Sequence, residues 1–143
     1  MNDETARHRK KKRDGTASTV IVVVLAAFAV RTFVLDAAVV EGKSMLPHYR
    51  NDSVVLILKT AYGIRGVRGK YVVRWKLPER GDVVAALRPD SRKMVIKRIG
   101  EIRGGADSPE YFLIGDNGIE SVDSRDFGPV PFDAVVGKVI PQR

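Results

Sequence analysis

The residue types that could do covalent chemistry in this chain narrow quickly. It has no cysteine and only two histidines, His8 and His48, which excludes thiolate chemistry, a disulfide framework and a histidine-rich metal site. Serine and lysine remain as a hydrolytic pair. A lysine amine at its solution pKa is protonated and cannot act as a base, but burial among apolar groups disfavours the ammonium form. Lys97 meets that need best: it follows Met94-Val95-Ile96 and precedes Ile99, inside a run that reads as a strand. The ordinary alternative is an exposed strand lysine, because alternation turns every second side chain to solvent and lysines are seldom buried unpaired. Ser44 is the candidate nucleophile. It sits in Gly42-Lys43-Ser44-Met45-Leu46-Pro47, where Gly42 permits a positive φ or close backbone approach and Pro47 stiffens the exit. Taken alone, a serine between Gly and Pro is a turn residue. A third polar segment, Gly115-Asp116-Asn117 followed by Ser121-Val122-Asp123-Ser124-Arg125 and Phe127-Gly128-Pro129, reads on its own as a surface loop with an Asp123–Arg125 ion pair.

Short β-branched runs must position these residues. Ser53–Leu58, Lys70–Trp75, Asp82–Leu87, Met94–Ile99, Tyr111–Ile114 and Ala134–Ile140 are each bounded by Gly, Pro, Asn or Asp. No window of ten or more residues in this region keeps a helical apolar stripe, so helices should be short or absent and the domain should be all-β. Gly63 to Lys70, with three glycines, is expected to be the loosest loop.

Ahead of this domain the composition is different. The net charge is +8, of which +3 lies in the first 14 residues, where Arg7, Arg9, Lys10, Lys11, Lys12 and Arg13 cluster; the remaining +5 is spread over the rest. Such a charge suits nucleic acid or an anionic membrane. The uninterrupted apolar run Val20–Val30, which follows, decides for the membrane. Crossing a hydrocarbon core takes about 20 helical residues, and residues 17–35 suffice if Arg31 snorkels at the far surface. A cleaved signal peptide or a buried core helix are the competing readings. The best small-x-small cleavage site, Ala27-Phe28-Ala29, lies inside the apolar run, which favours a retained anchor. The basic tail then places the N-terminus in the cytoplasm and the β domain on the other side. The expected organisation is a basic tail over 1–16, a transmembrane helix over 17–35 and an extracytoplasmic catalytic β domain over 36–143.

The segments also occur in a telling order. Val30-Arg31-Thr32-Phe33 closes the span, and Gly42-Lys43-Ser44-Met45-Leu46-Pro47 has the form G-x-S-M-x-P. Asp52-Ser53-Val54-Val55 through Gly63 follows, then Arg80-Gly81-Asp82-Val83-Val84 and Val95-Ile96-Lys97-Arg98-Ile99-Gly100. Gly115-Asp116-Asn117 with Ser121-x-Asp123-Ser124-Arg125 and Gly128, and finally Val136-Gly137-Lys138-Val139, complete the set. In this order they resemble the bacterial type I signal peptidases of peptidase family S26, membrane-anchored serine proteases with a Ser/Lys dyad. The resemblance runs from the span nearly to the last residue. It implies a mainly β fold: a single transmembrane helix followed by a compact antiparallel β domain of the signal-peptidase and self-cleaving-repressor type.

The resemblance further implies Ser44 as nucleophile, Lys97 as general base, Ser121 as the group that hydrogen-bonds and orients Lys97, and Asp123 with Arg125 as a structural ion pair near the site. It implies no metal and no cofactor. The Ser44 backbone N–H would hold the oxyanion; where some relatives offer a Ser hydroxyl two positions earlier this chain has Gly42, leaving the second donor to a backbone N–H or water. Asn51 stands where relatives often have Gly, a substitution suited to a turn because Asn also visits positive φ. The short stretch from Arg103 to Glu110 leaves no room for the large accessory domain of some relatives.

Implied substrates are preproteins whose signal peptides end in small-x-small residues, bound as an extended strand in shallow apolar pockets. Met45, Leu46 and Val95 are the nearest candidates to line them. Membrane lipid is the other expected partner and nucleic acid is not; Trp75 between Arg74 and Lys76 is a candidate interface residue, with a core or edge Trp as the equal alternative. Rival readings are a family relative that matures one dedicated conjugation substrate, a soluble self-cleaving repressor and a catalytically dead binder of export substrates. The repressor needs a DNA-binding helix-turn-helix where this chain has its span, and the retained Ser44 and Lys97 speak against the inert binder.

Overall fold

The computed structural model describes residues 3–66 and 68–141, with side chains from residue 16 onward. The cationic side chains of the tail therefore lie outside the described residues. Two compact units divide at Thr32/Phe33. The first holds all but the last residue of a helix, α1, that spans Asp3–Phe33. Its stretch Thr16–Phe33 has a mean hydropathy of 1.9 and exposes Val20–Leu25, Phe28, Val30 and Phe33, so it is long and apolar enough to cross a membrane. The helix ends at Phe33, earlier than the expected residue 35, because Leu35 is already paired in a strand.

The second unit is built from β1 (Leu35–Val39), β2 (Val54–Leu58), β3 (Gly63–Arg65), β4 (Tyr71–Arg74), β5 (Val83–Leu87), β6 (Met94–Arg103), β7 (Glu110–Ile114), a one-turn helix α2 (Ser124–Phe127), β8 (Val130–Pro131) and β9 (Val135–Val139). Seven strands form one curled antiparallel sheet in the order β1-β2-β9-β5-β6-β7-β8, while β3 and β4 pair as a separate ribbon. The mainly β expectation is correct. Gly63–Lys70 is not wholly a loop: Gly63–Arg65 is strand β3, pressed so closely on Val73 of β4 that a Cβ at Gly63 would collide with its carbonyl.

The central strand shows why the runs fold this way. Val83, Val84, Ala85 and Ala86 are all buried, as expected of a strand covered on both faces and written as a continuous apolar run. Val84 and Ala86 pack with Ile99, Tyr111, Leu113, Val130 and Val135 on one face. Val83 and Ala85 pack with Val40, Met45, Val55, Ile57 and Val139 on the other.

Pairing of β5 with β6 sets Val84 opposite Lys97 and Val83 opposite Arg98, so these consecutive cations leave the sheet on opposite faces. Beyond Arg98, β6 pairs with β7 and carries a bulge near Gly100. The edge of Met94–Lys97 turned toward β7 is unpaired among the described residues, as is the outer edge of β1. Four successive antiparallel pairings lead from β1 to β6, so the two run in the same direction.

Candidate active site

Ser44 lies in the turn between β1 and β2. Gly42 takes φ +83°, a value open to glycine, and its N–H donates to Asn51 Oδ1 at 2.6 Å, closing the turn on itself. The positive φ expected of Asn51 falls on its neighbour Asp52 instead, at φ 62°, because Asn51 spends its side chain on Gly42 and on Asp52. Tyr49 N–H bonds to the Met45 carbonyl at 2.9 Å, and Met45 is fully buried, so the turn is nailed into the core immediately after the nucleophile position.

Lys97 comes to this turn from β6. Its Nζ donates to Ser44 Oγ at 2.6 Å, and the side chain is only 3% exposed. No carboxylate forms an ion pair with it among the described residues. Burial is the main force on its pKa and pushes it below the usual lysine range, with the negative charges of Asp123 and Asp116 opposing and the positive charges of Arg88 and Arg125 helping.

The segment Gly115–Asn117 closes the site from the other side. Asn117 N–H donates to the Ser44 carbonyl at 2.9 Å. A Cβ at Gly115 would stand 2.6 Å from that carbonyl oxygen and 2.5 Å from Ser121 Cβ, so only glycine fits between Ser44 and Ser121. Asp116, beside it, receives Arg98 Nε at 2.7 Å and Nη2 at 2.8 Å, and meets His48 Nδ1 at 3.0 Å. His48 follows Ser44 by four positions, so the nucleophile turn is tied to this loop at two points. Neither tie was read from the sequence, where His48 and Asp116 are far apart.

Asp123 and Arg125 do pair, at 2.9 Å, and the bond is part of a larger arrangement. Asp123 is the N-cap of α2: it accepts from Arg125 N–H at 3.1 Å, while Asp126 accepts from Asp123 N–H at 2.9 Å. Asp123 Oδ2 also takes the Gly115 N–H at 3.0 Å, which fixes the close-packed glycine. Burial would raise the Asp123 carboxyl, but the Arg125 guanidinium and these N–H donors outweigh it and hold the group well below the ordinary carboxylate range. The spacing Asp123-x-x-Asp126 was the signal for this cap. Ser121 departs from expectation. It makes no bond to Lys97; its Oγ is buried against Gly115 without a partner of hydrogen-bond geometry, and its influence falls on Asp123.

A groove of about 450 Å³ opens beside Ser44 and Lys97. One wall is Ala37–Glu41 on β1 and its exit; the other is Lys93 and the start of β6, Met94–Lys97, and Arg88 and Met45 complete the lining. Met45 and Val95 therefore face it as expected. Leu46 does not line it, since the turn that buries Met45 directs the next residue elsewhere. Trp75 is more than half exposed on the loop after β4, away from this groove's lining.

A serine hydroxyl bonded to a buried, unpaired lysine beside an apolar groove can run hydrolysis of a bound acyl compound. Comparison with known proteins narrows that class. The profile of the family described as signal peptidase, peptidase S26, matches residues 13–107 and 101–141. Signal peptidase I of Bacillus caldolyticus is 26% identical across 92% of this chain and 91% of its own length. The mitochondrial inner membrane protease subunit 1 of Schizosaccharomyces pombe is 30% identical across 85% and 82%, and a probable signal peptidase I-2 of Synechocystis is 25% identical across 96% and 80%. The chain belongs to the signal peptidase family, peptidase S26, and is a peptidase.

Proposed function

We propose that the chain is a membrane-anchored serine endopeptidase that removes signal peptides from exported preproteins after small-x-small sites, with Ser44 as nucleophile and Lys97 as general base. The observation that carries this reading is the 2.6 Å contact between Lys97 Nζ and Ser44 Oγ in a site that buries the amine and, among the described residues, pairs it with no carboxylate. Neutral Lys97 takes the Ser44 proton as Oγ attacks the scissile carbonyl, and returns it to the leaving amine as the C–N bond breaks. Water then attacks the acyl-enzyme, giving one proton to Lys97 and releasing the acid as Ser44 regains its own. The Ser44 N–H, which makes no hydrogen bond among the described residues, is available to the oxyanion.

The groove supports an extended substrate. Its walls are two strand edges without partners, running in the same direction, so a peptide laid between them can bond to both and set alternate side chains against Ala37, Ala38, Met45 and Val95. The alanines and aliphatic side chains among its lining leave room for small side chains. Helix α1 holds the enzyme at the bilayer that also holds its substrate, which raises the effective concentration of each for the other. The basic tail supports a cytoplasmic N-terminus and an extracytoplasmic β domain, and exposed Trp75 between Arg74 and Lys76 supports contact with lipid. The test is cleavage of a panel of preproteins by purified full-length protein in detergent. The parent should cut several at small-x-small sites, and Ser44→Ala and Lys97→Ala should cut none. Cutting of a single member would favour a dedicated maturation enzyme, and full activity of Ser44→Ala would refute the mechanism.

A further inference from the structure

The side chains along the groove's two walls are mostly apolar, but its charges are polarised from end to end. At the Met94 end it is lined by two cations, Arg88 and Lys93; at the Ser44 end it is lined by Glu41. Arg88 is fixed in place: Nε and Nη2 donate to the two oxygens of Asp90 at 3.0 and 2.6 Å, and the guanidinium lies 5.1 Å from the centre of the Phe127 ring. Asp90 offsets the charge of Arg88. Lys93 is exposed and has no ion pair among the described residues, so this end keeps an uncompensated positive charge.

The strand geometry says which part of a substrate meets that charge. An extended peptide advances about 3.3 Å per residue, in step with β6. With the segment before the cut lying along the groove, the first residue before the cut stands beside Lys97, the third beside Val95 and the fifth beside Lys93. Resting on the peptidase reading above, we infer that the Arg88–Lys93 end selects substrates by charge, favouring an acidic side chain four to six residues before the cut and rejecting a basic one. Alternation matters less here than for the small residues, because Arg88 and Lys93 approach the peptide from a turn at the groove's end and long side chains reach across. Exposed charge contacts of this kind are weak, so the discrimination between acidic and basic substrates is about three- to tenfold.

The test uses the full chain in neutral detergent and three peptides with one small-x-small site, differing only in Asp, Ala or Lys at the fifth position before the cut. At low salt kcat/KM should fall in the order Asp, Ala, Lys, with about three- to tenfold between the extremes, and the spread should shrink at about 0.5 M salt. Lys93→Glu should invert the order and Lys93→Gln should flatten it. Rates equal within twofold in the parent, or an unchanged order in Lys93→Glu, would overturn the inference while leaving the peptidase intact. Absence of cleavage of all three by the parent, or cleavage by Ser44→Ala, would remove the peptidase reading and this inference with it.

Discussion

Lys97 and Arg98 are consecutive cations on β6, and the pleat sends them to opposite faces of one sheet. On the Arg98 side the cation is paired: Asp116, nearly buried, takes two bonds from the guanidinium and a third contact from His48, and its hydrogen bonds raise the Arg98 pKa. On the Lys97 side there is burial without an ion-pair partner among the described residues, and the amine is pushed toward neutrality. Two residues of the same charge thus serve opposite ends, one as a permanent tie between segments and one, in the mechanism we propose, as a proton acceptor. What separates them is the position of a carboxylate within hydrogen-bond reach, since electrostatics at Arg98 reward the charged form and desolvation at Lys97 penalises it.

The largest expected effect comes from making Lys97 resemble its neighbour. Lys97→Arg places a cation that cannot lose its proton beside Ser44, and cleavage of a preprotein should drop by about 10³-fold or more. Near-normal turnover would end the comparison. On the other face, Asp116→Ala leaves Arg98 half-buried without its partner and removes one of the two ties on the nucleophile turn; thermal or denaturant unfolding should show a loss of about 2 kcal/mol. A change within experimental error would mean that the pairing is decorative.

The two faces should also respond oppositely in stability. Lys97 has a folded pKa below its unfolded one, so below the folded pKa the native state bears the full cost of burying the charge, and that cost disappears as pH rises toward the unfolded value near 10.4. Lys97→Met should therefore stabilise the inactive protein by about 1 kcal/mol at neutral pH, with the gain shrinking in alkali. Equal or lower stability of this variant at pH 7 would contradict an unpaired buried amine. The smallest effect is at the acid end. Asp123 and Asp82 both have lowered carboxyl pKa values; for each, burial alone would raise it and hydrogen bonding outweighs that. Their stabilisation is present above about pH 4 and is lost as pH falls through the lower folded values. Asp82→Asn should flatten the acid limb of the unfolding curve, measured by circular dichroism.

Legibility in the sequence followed locality. The Asp123–Arg125 pair was visible because its residues are two apart, Ser44 and Lys97, 53 residues apart, only because their motifs in order resemble a known family, and the strand runs because a two-face-buried strand such as Val83–Ala86 is a continuous apolar run. The Asp116 hub escaped because its partners His48 and Arg98 come from different segments. Ser121 was assigned to Lys97 and instead packs on Gly115 and Asp123, a matter of which of two near neighbours a short side chain reaches. Leu46 was placed in the groove because Met45 was, yet a turn sends successive side chains apart. Gly63–Arg65 looked like loop, since three glycines in eight residues hide a strand whose glycine is there for close approach to β4.

The central claim is that Lys97 acts as a neutral base, and the pH dependence of kcat/KM for one preprotein, measured with full-length protein in detergent, tests it most directly. The rate should rise with pH and level off with an apparent pKa below that of an ordinary lysine, as Lys97 loses its proton. A rate that is flat from acid to alkaline pH would contradict it.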